Sequence, residues 1–207
     1  MFGQDLYDHS RYLDYITRLR RDRPYCAEIT PSYALCGADV LREMVALHGS
    51  VKFVFLVRDP VDRLWSGLRQ RAQSVLAARP DPEMLTRMAL AACANPHDPD
   101  VLRSRYDLTL GALDAAGADV CVLLYETLFS TQSMNTLFQH LGIAMPENIP
   151  FDRDQHPGVL KSAAPPPQIE TMALNVLKET YQAVRDRFGD AVPANWRAPE
   201  ARQQDGA

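Results

Sequence analysis

No uninterrupted apolar run in this chain approaches the roughly 18 residues that a membrane-spanning helix requires, which excludes a helical span as its organising feature. The stretch Met1–Ser10 is polar and acidic, so it has neither the basic start nor the apolar middle of a secretory leader. Charge of one sign is also scarce in net terms. The 22 Lys and Arg face 26 Asp and Glu, a formal balance of −4, so no global basic field exists to collect nucleic acid or an anionic membrane. An anionic ligand must therefore be held by a local group of cations. Cysteine is limited to Cys26, Cys36, Cys93 and Cys121, with no C-x-x-C pair and no His at ligand spacing, which excludes the usual zinc and disulfide frameworks. Cys121 lies in an apolar run and Cys93 on an Ala-rich stretch, so both read as small core residues. This usage fits a reducing compartment and predicts a cytoplasmic location. Glycine is sparse and scattered: none of the ten sits two residues from another, and neither G-x-G-x-x-G nor G-x-x-x-x-G-K-[ST] occurs.

What remains is ordinary globular composition, with 46% hydrophobic and 23% charged residues in 207. That length suits one α/β domain with a sizeable core, assigned to residues 1–197, followed by a polar tail, 198–207, expected to be disordered. Helical periodicity predicts helices over residues 8–23, 38–48, 60–78, 83–94, 101–116, 133–141 and 169–188. Apolar runs predict strands over 51–57 and 119–126, and Tyr25–Thr30 is a third, shorter candidate. Strands separated by helices predict a parallel sheet built from crossovers.

The most informative segment is Val51–Gly67. Its first half is the near-continuous apolar run of a strand buried on both faces. Asp59 then suits a helix N-cap, and Pro60 tolerates the first helical position, where an N–H is unsatisfied anyway. Arg58 is thus placed at the carboxyl end of a strand, beside a helix N-terminus, where open α/β sheets bind anions. Ser66 follows eight residues later, about two turns into the helix. The plain reading is a strand end, a cap and a helix start, with Arg58 solvated or paired to Asp62.

Strand, Arg58, Asp59-Pro60, then Arg63 and Ser66 on one helix resembles the 3′-phosphate-binding motif of sulfotransferases that use 3′-phosphoadenosine 5′-phosphosulfate (PAPS). Further stretches resemble the same family, in the same order. Met1-Phe2-Gly3-Gln4 is similar to the end of its Lys-Glu-x-x-Phe-Phe segment, and Ala27–Tyr33 to the strand and turn that carry the catalytic Glu of the heparan-type branch. Ser104-x-Tyr106 with Val122–Leu128, and Phe138-x-x-Leu141-Gly142-Ile143, resemble later elements; Val159–Ser162 resembles the segment that closes over adenosine 3′,5′-bisphosphate. The resemblance spans most of the chain between Met1 and Gly189.

It implies an α/β fold of the P-loop NTPase-like sulfotransferase type: a three-layer parallel sheet with flanking helices. It implies sulfuryl transfer from PAPS, without a metal, to a hydroxyl of a carbohydrate or small-molecule acceptor, with no nucleic-acid or membrane partner. Residue by residue, it implies Glu28 as general base and Arg58, Ser66, Lys161 and Ser162 as ligands of the nucleotide. Glu28 otherwise reads as solvated or bridged to a cation such as Arg58, Arg63 as a brace against an acidic neighbour, and Tyr106 as core. The family's phosphosulfate loop, a strand followed by Lys-x-Gly-Thr-Thr, is absent from the 207 residues. By the resemblance it and its central strand would precede Met1, and without them the chain is expected to be inactive. The alternative is a non-catalytic protein of the same fold that binds adenosine 3′,5′-bisphosphate or a protein partner.

Overall fold

The computed structural model describes residues 9–23, 25–76, 81–146 and 164–197. The N-terminal Met1–Gln4 motif, Lys161, Ser162 and the expected tail lie outside them. The architecture is α/β and mostly helical, around a small parallel sheet of two strands. In chain order the elements are α1 (His9–Arg20), α2 (Ala38–Ala46), β1 (Phe53–Val57), α3 (Pro60–Leu76), α4 (Pro82–Ala94), α5 (Pro99–Ser104), α6 (Tyr106–Ala115), β2 (Val120–Leu124), α7 (Thr131–Leu141), α8 (Pro167–Val176) and α9 (Lys178–Phe188). No helix among the described residues is long and apolar enough to cross a membrane.

β1 and β2 run parallel, paired from Phe53 with Val120 to Val57 with Leu124. The Phe53 amide donates to the Asp119 carbonyl, so Phe53, Phe55 and Val57 turn their backbone groups to β2 and those of Val54 and Leu56 face the other way. Among the described residues β1 has a partner on one side only, where its apolar run predicts an inner strand, and Val54 and Leu56 are exposed. Tyr25–Thr30 is not a strand. It is an extended, largely exposed segment leading to a 3₁₀ turn at Pro31–Leu35, and its side chains bond to Tyr12 and to the Gly142 carbonyl.

The core gathers on α3. Val61, Leu64, Leu68 and Ala72 recur at helical spacing, are almost fully buried, and pack with Val57, Tyr106, Leu177 and Tyr181. A smaller cluster of Leu41, Leu113 and Ala116 from α2 and α6 covers Phe53, Phe55 and Val120. α7 packs against β2, and its Gly142 ends it in the left-handed conformation, φ 70°, with the Ile143 amide returning to the Phe138 carbonyl. Cys93 and Cys121 are free thiols in the interior, as their apolar surroundings predict.

Two expected long helices are each divided. Arg105 leaves helical geometry at φ −83°, ψ 71°, and its guanidinium bonds both Asp107 and Glu179. Leu177 breaks α8 from α9 at φ −101°, ψ 11°, which lets Ile169 and Leu174 on one side and Tyr181 and Val184 on the other reach the same core.

Candidate functional site at the carboxyl edge of the sheet

The register that pairs Val57 with Leu124 places the next residues, Arg58 and Tyr125, side by side at the carboxyl edge. The Arg58 guanidinium lies 5.1 Å from the centre of the Tyr125 ring, a cation–π contact worth about 0.5–1 kcal/mol at such exposure. Its Nη2 donates to Asp62 Oδ2 at 3.4 Å, a long, half-exposed pair whose worth is roughly 0–1 kcal/mol. The Arg58 amide donates to the Tyr106 hydroxyl at 3.3 Å, and burial pushes the Tyr106 phenol well above its ordinary range, keeping it neutral. Arg58 is therefore positioned by its backbone and lightly held by its side chain.

The start of α3 is satisfied from within the chain. Asp59, buried, accepts from the Asp62 amide at 3.0 Å, the Tyr181 hydroxyl at 2.9 Å, the Arg197 amide at 2.9 Å and Arg197 Nη1 at 2.8 Å. The Asp59 amide donates to Glu126 Oε1 and the Val61 amide to the Tyr181 hydroxyl. Arg197 also reaches Asp62 and Glu170, each at 2.7 Å. Burial alone lowers the Arg197 pKa; the charge of Asp59 and the bonds to Glu170 and Asp62 outweigh it and hold the guanidinium above its ordinary range. Burial, then the Asp59 charge, likewise raises the Tyr181 phenol. The sequence places an anion beside this helix N-terminus, but its amides already have partners. What the edge offers an external anion is the Arg58 guanidinium.

Ser66 lies on α3 one turn beyond Asp62, half-buried, so the α3 side chain in contact with Arg58 is Asp62. Arg63 is the brace that the acidic neighbourhood predicts: its Nη1 donates to the Asp100 carbonyl at 2.9 Å. Tyr106 is core, in edge contact with Phe55.

Glu28 belongs to a separate cluster, on the exposed segment before the 3₁₀ turn. That turn is tied to α6, where the Thr109 hydroxyl donates to the Ala34 carbonyl at 3.0 Å. The Tyr12 hydroxyl donates to Glu28 Oε2 at 2.6 Å and the Thr30 hydroxyl to Oε1 at 3.1 Å, with the Tyr33 phenol close by. The Tyr12 bond, opposed by partial desolvation and assisted by Tyr33 and Thr30, holds the Glu28 carboxyl below its usual range. Glu28 is bonded to hydroxyls and not bridged to Arg58.

Two hollows of about 360 and 330 Å³ lie elsewhere, one between α6 and α9 beside Asp107 and Arg187, the other at the opposite end of the sheet beside His48 and Lys52. Neither is lined by Glu28, Arg58 or Ser66. Among the described residues no group of His, Cys, Asp and Glu is arranged to hold a metal ion.

Sequence reasoning missed Tyr125 and Arg197. Tyr125 was accessible, since parallel pairing of two apolar runs sets their next residues together. Arg197 was not, because its partners lie more than 130 residues away at Asp59 and Asp62. No family model, curated protein or solved structure matches this chain.

Proposed function

We propose that the β1–α3 edge binds the 3′-phosphate of an adenosine 3′,5′-bisphosphate group, and that the chain contributes to sulfuryl transfer from PAPS to an acceptor hydroxyl. The observation that carries this reading is Arg58: an arginine fixed by its backbone at the carboxyl end of a parallel strand, one face on Tyr125 and a single long contact to Asp62. Its planar fork matches two phosphate oxygens, which a lysine cannot imitate. A dianionic phosphate competes well with one half-exposed carboxylate for that fork. Ser66, one turn beyond Asp62, supplies a hydroxyl once Asp62 gives way.

In the transfer step an acceptor oxygen attacks sulfur in line, the bond from sulfur to the phosphate oxygen breaks, and adenosine 3′,5′-bisphosphate departs with that electron pair. The acceptor proton goes to a base, here Glu28. The protein's part is positioning and charge neutralisation, as in phosphoryl transfer. The 207 residues contain no Lys-x-Gly-Thr-Thr cradle for the phosphosulfate. Binding without turnover is accordingly the second reading, favoured by the internal use of the amides at the start of α3.

Calorimetry with adenosine 3′,5′-bisphosphate, run beside a transfer assay from radiolabelled PAPS to mixed carbohydrate and phenol acceptors, tests both. Binding without transfer is the result expected of these 207 residues and supports nucleotide recognition at Arg58, whereas binding with transfer would overturn the view that the Lys-x-Gly-Thr-Thr cradle is needed. No saturable binding overturns the two together.

A further inference from the structure

α1 is loosely packed: on its apolar side Leu13 and Ile16 are half-buried, while Tyr12, Tyr15 and Leu19 are 38%, 58% and 54% exposed. The helix ends at Arg21, whose φ of 51° is a left-handed conformation that a non-glycine residue adopts at a cost. Beyond it the chain returns along Tyr25–Thr30, which is also exposed, with Ile29 94% accessible. Against this loose packing one bond is short and charge-assisted: the Tyr12 hydroxyl on Glu28 at 2.6 Å.

The geometry of that bond is that of a hydroxyl offered to a base. The donor lies within the roughly 2.6–3.2 Å at which a general base takes a proton, and the second carboxylate oxygen is steadied by Thr30. Among the described residues the hydrogen-bond donors on Glu28 are the hydroxyls of Tyr12 and Thr30, so an incoming hydroxyl replaces Tyr12 without displacing a described cation from the carboxylate. The Tyr12 phenol is pushed well above its ordinary range, by burial first and by Glu28 next, so it remains a neutral donor. While it stays, Glu28 has a depressed affinity for a proton and makes a poor base.

We propose that α1 is an autoinhibitory strap: its Tyr12 hydroxyl occupies, at Glu28, the position of an incoming hydroxyl, and Glu28 becomes accessible only when α1 lifts away. The proposal concerns who occupies Glu28. It deepens the reading of Glu28 as a base but does not depend on turnover for its test. Removing the phenol hydroxyl alone should loosen the helix while leaving the body intact, and removing the whole ring should leave a slot that a free phenol fills.

The test uses the full chain and three variants: Tyr12→Phe, Tyr12→Ala and Tyr12→Ala/Glu28→Gln. In Tyr12→Phe, amide exchange over α1 should quicken by about ten- to a hundredfold, the equivalent of one hydrogen bond to a charged group, with exchange in α3 unchanged. p-Cresol, the Tyr side chain as a free molecule, should bind Tyr12→Ala saturably by NMR titration, the wild type at least tenfold more weakly, and the double variant not at all. Unchanged α1 exchange in Tyr12→Phe overturns the strap. Equal p-cresol affinity in wild type and Tyr12→Ala, or binding that survives loss of Glu28, overturns the occupied slot. If both effects are seen, the occupied position at Glu28 stands whether or not sulfuryl transfer is detected, because these 207 residues hold no Lys-x-Gly-Thr-Thr cradle and are expected to be inactive by themselves.

Discussion

Asp59→Ala is expected to be among the most damaging single substitutions on this chain. The carboxylate is 3% exposed and accepts four bonds: the Asp62 amide, the Tyr181 hydroxyl and two from Arg197. Loss of the cap costs about 1 kcal/mol. Breaking a buried ion pair from one side costs roughly 3–5 kcal/mol when the remaining charge is stranded. Here Arg197 keeps Asp62 and Glu170, so the lower end applies and the total is about 3–4 kcal/mol. Against a typical domain stability of about 5–15 kcal/mol this is a large fraction. Urea unfolding followed by circular dichroism should show a midpoint lower by about 1.5–2 M, for a slope near 2 kcal/mol per molar. Asp59→Asn keeps an oxygen for the Asp62 amide but loses the charge and turns an NH2 donor toward the Arg197 amide, so it should destabilise too, by less than Asp59→Ala. A loss below about 1 kcal/mol for Asp59→Ala would refute the view that this carboxylate ties the residues around Arg197 to the start of α3.

Gly67→Ala should destabilise by about 1–2 kcal/mol by urea unfolding although alanine favours helices, since the added Cβ would lie 2.6 Å from Asp100 Oδ1, a buried carboxylate also engaged by Arg71; a gain would show that Asp100 moves freely. Asp107 is desolvated, yet its bonds to Arg105 and Thr180 hold its folded pKa below the unfolded one. Its stabilising contribution is therefore full above the unfolded pKa and lost as pH falls through the folded one. The stability gap between wild type and Asp107→Asn should accordingly close between about pH 5 and pH 2, and a gap that widens on acidification contradicts the assignment. Asp62→Asn removes the carboxylate that competes for Arg58, so its affinity for adenosine 3′,5′-bisphosphate should rise by about two- to fivefold in calorimetry, whereas a fall would show that Asp62 helps to orient the fork.

The parts of the fold that depend on local pattern were legible in the sequence. The apolar run at β1, the Asp59-Pro60 start of α3 and the Gly142 stop of α7 each rest on a few neighbouring residues and recur in the structure. Parallel pairing followed from the helices between the runs. Tyr25–Thr30 read as a strand because its composition allows one, but a strand needs a partner edge, and this segment is tied to its surroundings by side chains instead, Glu28 to Tyr12 and Tyr25 to the Gly142 carbonyl. The breaks at Arg105 and Leu177 were hidden because each is set by distant packing: Glu179 for the first and the shared core for the second. At the site, the position of Arg58 and its pairing with Asp62 were both readable from four-residue spacing. The partners of Glu28 were not, since Tyr12 comes from a helix sixteen residues earlier.

The central claim is that Arg58 recognises a 3′-phosphate. Its most direct test is calorimetry of adenosine 3′,5′-bisphosphate against adenosine 5′-phosphate, on the wild type and on Arg58→Ala. A bidentate charge-assisted contact of about 2 kcal/mol predicts a preference of roughly 30-fold for the bisphosphate in the wild type, falling close to unity in Arg58→Ala. Equal affinities in the wild type, or a preference that persists without Arg58, would contradict the account.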